Sequence, residues 1–166
     1  MLGFMGSGKS TVARALARRL NSNMVDLDEM IAQTAGRSPA QIIKENGELA
    51  FREIETRALR TVLQNEGAPV VSLGGGAWTL EKNRALIAEH NATTVWLDAP
   101  FSLCWRRILS SGEERPLAPS EHEAQTLYEQ RREAYRCADL HILASEVKSP
   151  DEIAQEITQA TVGLET

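Results

Sequence analysis

The chain has 166 residues, 42% apolar and 25% charged, and carries a net charge of −5. These ordinary globular values, with length enough for one core, exclude a disordered chain, a disulfide-held mini-protein and a general nucleic-acid binder. Any anionic ligand must therefore be held by a local cluster of cations. Cys104 and Cys137 have neither C-x-x-C nor metal spacing and read as reduced core or surface thiols. With no signal segment and no apolar run of about 18 residues, a cytoplasmic protein without a membrane partner is expected.

The first feature along the chain is Gly3-Phe4-Met5-Gly6-Ser7-Gly8-Lys9-Ser10, which fits the G-x-x-x-x-G-K-[ST] phosphate-binding loop. Phosphate oxygens need many donors in a small concavity, and the glycines let backbone N–H groups of Gly6, Ser7, Gly8 and their neighbours converge there. Lys9 adds a positive charge, the Ser10 hydroxyl suits magnesium, and a helix opening at Thr11 contributes its N-terminal partial charge. The pattern predicts binding of a nucleoside triphosphate. Only Met1 and Leu2 precede the loop, whereas a strand feeding such a loop is central and about five residues long. A strand this short is expected to lose ladder hydrogen bonds and apolar burial, through a truncated start or at a cost in stability.

After helix periodicity at Val12, Leu16 and Leu20, Met24 to Asp28 reads as a short strand running into a polar turn. Ser38-Pro39-Ala40-Gln41 has the cap, first-turn proline and capping-box partner of a helix that ends near Asn46-Gly47. A longer helix follows from about Glu48 to Gln64. Pro69 to Leu73 reads as a buried strand broken by Gly74-Gly75-Gly76. Thr79 is placed to cap a helix through about His90, and Thr93 to Leu97 makes a further strand. Helices are expected at Ser102 to Leu109 and Glu123 to Cys137, separated by a proline-bearing stretch long enough to be a lid. Leu140 to Leu143 completes the strands, Ser149-Pro150-Asp151-Glu152 opens the last helix, and a polar tail follows about Ala160. This alternation predicts an α/β fold with a parallel sheet covered on both faces and ligands at the carboxyl ends of the strands.

Several side chains stand out at that rim. Asp26 and Asp28 alternate across a strand end, giving one carboxylate for magnesium through water and another for an acceptor hydroxyl, although two turn-forming aspartates have the same spacing. The triple glycine lets a small ligand approach backbone or simply loosens the strand exit. Arg52 has Glu48 and Glu55 at helical spacing, the pattern of a surface ion pair. Arg131 has Leu127, Tyr128, Ala134 and Tyr135 at those positions and suits a partly buried anion site. Arg115, before Pro116 in the expected lid, suits a charge clamp that arrives on closure. Trp78 is placed either to wall a pocket or to fill the core. His90, His122 and His141 share no metal spacing.

Taken together, Gly3 to Ser10, Asp26-Leu27-Asp28, Phe51-Arg52, Gly74-Gly75-Gly76, Arg115-Pro116-Leu117 and Arg131 with Tyr135 closely resemble the shikimate kinase family. The resemblance runs in order through nearly the whole chain. It implies one P-loop, nucleoside-monophosphate-kinase-like domain over 1–166, with three layers, a central five-stranded parallel sheet and a mobile lid near 110–123. It also implies phosphorylation of the 3-hydroxyl of shikimate by ATP with Mg2+, by a monomer with no nucleic-acid partner. In that reading Asp28 receives the acceptor proton, Asp26 and Ser10 support magnesium, and Lys9 and Arg115 stabilise the transferring phosphoryl group. Arg52 and Arg131 grip the substrate carboxylate, Glu55 orients Arg52, the triple glycine lines the substrate pocket, and Arg107 with Ser145 to Pro150 borders the adenine. Two alternatives share the loop: a gluconate-type kinase, and a silent nucleotide-binding module that switches a partner.

Overall fold

Residues 1–65 and 70–162 are described by the structure, a computed structural model. Pro69 and the last residues of the expected tail lie outside the described residues. The elements run α1 (Lys9–Arg19), β1 (Met24–Asp26), α2 (Leu27–Ala35), α3 (Pro39–Gln64), β2 (Val70–Ser72), a 3-10 turn (Ala77–Thr79) and α4 (Glu81–Glu89). They continue with β3 (Val95–Asp98), α5 (Phe101–Ser111), α6 (Glu121–Tyr135), β4 (Leu140–Leu143) and α7 (Pro150–Val162).

Both strand ladders are parallel: β1 pairs with β2 from Met24 opposite Val70, and β3 with β4 from Val95 opposite Leu140. Met1 and Leu2 run between the two ladders. Leu73 N–H donates to the Met1 carbonyl at 2.9 Å, while Leu2 N–H donates to Val95 O at 2.9 Å and its carbonyl accepts from Leu97 N–H at 2.9 Å. The expected fifth strand is thus, among the described residues, a single bridge of Leu2 opposite Trp96. Beside it remains an apolar cavity of about 290 Å³ lined by residues including Leu16, Leu20, Leu59, Ile87 and Ile157.

All four residues of β3 are buried, so both of its faces are covered. Helix α1 packs on α7 and β2, while α4 and α6 both pack on the 3-10 turn. The core joins Phe4 of the loop to Leu27, Ile31, Ile42, Leu97 and Ile157, all at most 2% exposed.

Of four local expectations two are corrected, one holds and one open choice is resolved. Residues 27 and 28 are helical rather than strand: Asp26 caps α2, its Oδ1 accepting from Asp28 N–H at 3.1 Å and Glu29 N–H at 3.2 Å. A carboxylate that satisfies two orphan amides starts a helix more effectively than two further apolar-polar alternations extend a strand. The two helices expected on either side of Asn46-Gly47 are present, and run together as α3 across a kink at Gly47, the non-helical residue between them. Thr79 does not cap α4; its hydroxyl donates back to Gly76 O at 2.7 Å, and Leu80 occupies the cap position. Trp78 belongs to the core, 5% exposed, its Nε1 donating to Ala134 O at 2.8 Å.

Candidate active site

A cleft of about 370 Å³ opens at the carboxyl ends of the strands. Its lining includes Gly6, Gly8, Lys9, Ser10 and Thr11 of the loop, Asp26 and Asp28 from β1 and α2, Arg52 and Glu55 from α3, Gly74 to Gly76 after β2, Arg107 of α5, Arg115 before α6 and Arg131 within it. Every residue singled out for the site therefore meets in one place except Ser7, which is buried behind the loop with a hydroxyl that has no partner among the described residues. The segment Ser145 to Pro150 lies off this lining, where Glu146 pairs with Arg106.

The loop owes its shape to glycine. Gly3, Gly6 and Gly8 have φ of 146°, 75° and 98°, and a Cβ at Gly6 would stand 2.5 Å from the Cys104 carbonyl. Gly8 is at once the last loop residue and the N-cap of α1, so the orphan amides of that helix face the cleft. Lys9 lies inside this turn, its Nζ donating to Phe4 O at 2.9 Å. Burial pulls its pKa down to about 8, against the opposing pull of Asp28. Arg107 donates to the carbonyls of Gly6 and Ser7 at 3.2 and 3.1 Å and so ties α5 to the loop.

The oxygen donors for a divalent cation sit beside Lys9. Ser10 Oγ donates to Asp26 Oδ2, and Ser72 Oγ stands 3.4 Å from Ser10 Oγ. Hydroxyl and carboxylate oxygens are the hard ligands that magnesium prefers, so these residues fit the ion. Ser72 is not marked as a site residue by the sequence, nor is Ile43, which also lines the cleft. A polar residue closing an apolar strand at its carboxyl end is the signal that marks Ser72.

On the opposite wall stand two buried arginines. Arg52 is 8% exposed; its Nη1 donates to Glu55 Oε2 at 2.7 Å and its Nη2 to Glu48 Oε1 at 2.9 Å. The expected surface pair is thus a buried one, with Glu55 wholly enclosed and Oε1 left without a partner among the described residues. Arg131 is 6% exposed and, among the described residues, has no carboxylate within ion-pair distance. Tyr135, four residues on, donates its hydroxyl to Gly75 O at 2.5 Å. An uncompensated buried guanidinium is costly unless an anion meets it.

Asp28 sits between the cations and the glycines. A Cβ at Gly74 would lie 2.8 Å from Asp28 Oδ1 and 2.7 Å from Glu55 Oε1, so only glycine leaves both carboxylates open to the cleft. Burial first, and then the charge of Asp26, raises the Asp28 pKa above the usual carboxylate range, against Lys9, Arg115 and Arg52. Arg115 is one-third exposed and bonds Glu113 at 2.5 Å, with its Nε unpartnered among the described residues. Phosphate-loop donors, an oxygen pair for a cation, a raised carboxylate and two arginines for an acceptor's anion form the constellation of a phosphoryl-transfer site.

Comparison with known proteins agrees. The family model for shikimate kinase matches residues 5–162. The shikimate kinase of Persephonella marina is 38% identical over 157 residues, covering 95% of this chain and 94% of the relative. That of Sulfurihydrogenibium sp. is 38% identical over 158 residues, covering 95% and 93%. Among solved structures, shikimate kinase from Acinetobacter baumannii in complex with shikimate superposes with a TM-score of 0.90 at 30% identity, over 98% of this chain and 91% of that one. The enzyme from Aquifex aeolicus gives 0.79 at 34% identity, over 99% and 98%. Matched along almost its whole length in sequence and in fold, the chain belongs to the shikimate kinase family.

Proposed function

We infer that this chain is an ATP-dependent kinase that phosphorylates the 3-hydroxyl of shikimate, giving shikimate 3-phosphate and ADP on the route to chorismate and the aromatic amino acids. The observation that carries the acceptor assignment is Arg131, a buried guanidinium without a carboxylate partner among the described residues, lining the cleft together with Arg52. Two cations so placed suit a carboxylated acceptor, and the solved relative from Acinetobacter baumannii holds shikimate.

The chain's own residues divide the reaction between them. Loop amides and Lys9 hold the ATP phosphates, while Ser10 and Asp26 are the residues that would hold magnesium, which would neutralise charge on the phosphate oxygens. Arg52 and Arg131 grip the acceptor carboxylate, Glu55 keeps Arg52 in place, and the triple glycine leaves room for the ring. The acceptor oxygen bonds to the γ-phosphorus as the bond to the β-bridging oxygen breaks; Asp28 receives the hydroxyl proton and ADP leaves. A carboxylate with a raised pKa is the better base for that step. Lys9 and Arg115 meet the charge on the transferring group, and Arg107 borders the nucleotide beside the loop. The segment near 110–123 acts as a lid on a single domain, with Met1–Leu2 counting as the fifth strand of the sheet. We place the enzyme in the cytoplasm as a monomer.

A coupled assay of ADP release tests the reading, with MgATP and shikimate, gluconate or no acceptor. Turnover that depends on shikimate supports it. Turnover with gluconate alone would move the chain to another small-metabolite kinase, and ATP binding without acceptor-dependent release would make it a silent module.

A further inference from the structure

Among the described residues Arg131 has no carboxylate within ion-pair distance, which leaves the helix that carries it a large part in its placement. The next residue supplies an anchor of a different kind. Arg132 forms a two-pronged bond to Asp98, Nη1 to Oδ1 at 2.6 Å and Nη2 to Oδ2 at 3.0 Å. Its Nη1 also donates to Tyr128 Oη at 2.7 Å, and that hydroxyl donates to Ala99 O at 3.0 Å. The guanidinium lies over the rings of Trp96 and Tyr128, at 5.0 and 5.3 Å. His141 of β4 completes the cluster, its Nε2 at 2.9 Å from Asp98 Oδ2 and its ring stacked on Trp96 at 4.1 Å.

The place of Asp98 gives the cluster its meaning. It ends β3, the strand that hydrogen-bonds Leu2 immediately before the phosphate loop. Tyr128 meets Phe4 of the loop edge to face at 5.2 Å, and Arg131 lies over the same Phe4 ring at 5.9 Å. The strand that seats the phosphate donor therefore also seats the helix of the acceptor-binding arginine. A planar, bidentate pair fixes both distance and rotation, which a packed apolar contact does less sharply.

We propose that Asp98 and Arg132 are positioning residues for the acceptor: their bridge sets the register of α6 on β3 and so holds the Arg131 guanidinium at the reach that puts the acceptor hydroxyl in line with the phosphate loop. The inference rests on the reading of Arg131 as the acceptor-carboxylate contact. Misplacement by about 1 Å is enough to cost large factors in such a step.

The test is a steady-state series on the full chain, with thermal unfolding measured alongside. Asp98→Asn keeps the shape and removes the charge; its KM for shikimate is expected to rise about tenfold while its KM for ATP stays within about twofold. Arg132→Lys, which keeps the charge without the fork, is expected to fall between wild type and Asp98→Asn. The decisive variant is the double Asp98→Asn/Arg131→Met, expected to bind shikimate no worse than Arg131→Met alone, because Asp98 acts through Arg131. A folded Asp98→Asn with unchanged shikimate KM, equal losses for both substrates, or a double variant in which the two defects add would overturn the proposal. If Asp98→Asn does not fold, Tyr128→Phe and Arg132→Lys carry the same comparison. Arg131→Met with an unchanged shikimate KM would instead discard the carboxylate reading itself, so the two failures are distinguishable.

Discussion

Lys9 shows what the site costs the fold. Its ammonium is nearly enclosed, and a depression from 10.5 to about 8 corresponds to about 3 kcal/mol of destabilisation while it is charged. Between those values the unfolded chain binds more protons than the folded one, so stability rises with pH through that window and the cost is fully present below about 8. Lys9→Met, measured without nucleotide, is therefore expected to unfold at higher temperature than wild type at pH 7, with the advantage shrinking towards pH 10.5, while turnover is lost. Equal melting at pH 7 would refute the burial cost. Asp28→Asn should reduce turnover by several orders of magnitude and leave ATP binding mostly intact, because it removes a carboxylate that faces the acceptor side of the cleft. Nucleotide titration beside the coupled assay checks this, and undiminished turnover would discard the role.

Helix α3 shows how an element brings two walls of the cleft together. Ser38 and Gln41 form a reciprocal cap at its start, Gln41 N–H on Ser38 Oγ at 3.2 Å and Ser38 N–H on Gln41 Oε1 at 2.9 Å. That cap was legible in four consecutive residues because its hydrogen bonds are local. At Gly47 the helix breaks its pattern with φ 84° and ψ 163°, a region closed to side chains, and changes direction between Ile43 and Arg52. A Cβ there meets nothing within 4 Å, so the cost of Gly47→Ala is backbone strain of about 1–3 kcal/mol. Chemical denaturation should show that loss, together with a raised KM for shikimate as the Arg52 half of α3 shifts against the Ile43 half; unchanged stability would rule out the strain. Helix α2 was not legible, since Met24 to Asp28 alternates like a strand and the competing cap from Asp26 to two amides is visible only once the backbone has turned.

At the scale of the molecule, two parallel ladders joined through Met1 and Leu2 bring residues from seven elements and their connecting loops to one rim. Arg115 enters that rim from the stretch between α5 and α6, where Glu114 stands 3.9 Å from Lys44 of α3. If this stretch is a lid, hydrogen exchange over residues 110–123 should slow with MgATP and shikimate together more than with either alone. Identical exchange in all four conditions would remove the lid from the mechanism. The same experiment reports on the loop, whose Ser7 to Ser10 amides should gain protection with ATP alone.

The sequence by itself determined the order of strands and helices apart from α2, and the glycine pattern of the phosphate loop, because glycine positions, caps and apolar periodicity act over a few neighbouring residues. It also carried the family's marks in order, which pointed to the shikimate kinase family before any distance was known. Only the tertiary structure decided which charges are buried and with whom. Arg52 has the spacing of a surface ion pair and lies inside, while Arg131 and Arg132 are neighbours in sequence that face different partners. Burial and pairing across the sheet depend on how distant segments pack, and no local pattern encodes the 34-residue separation between Arg132 and Asp98.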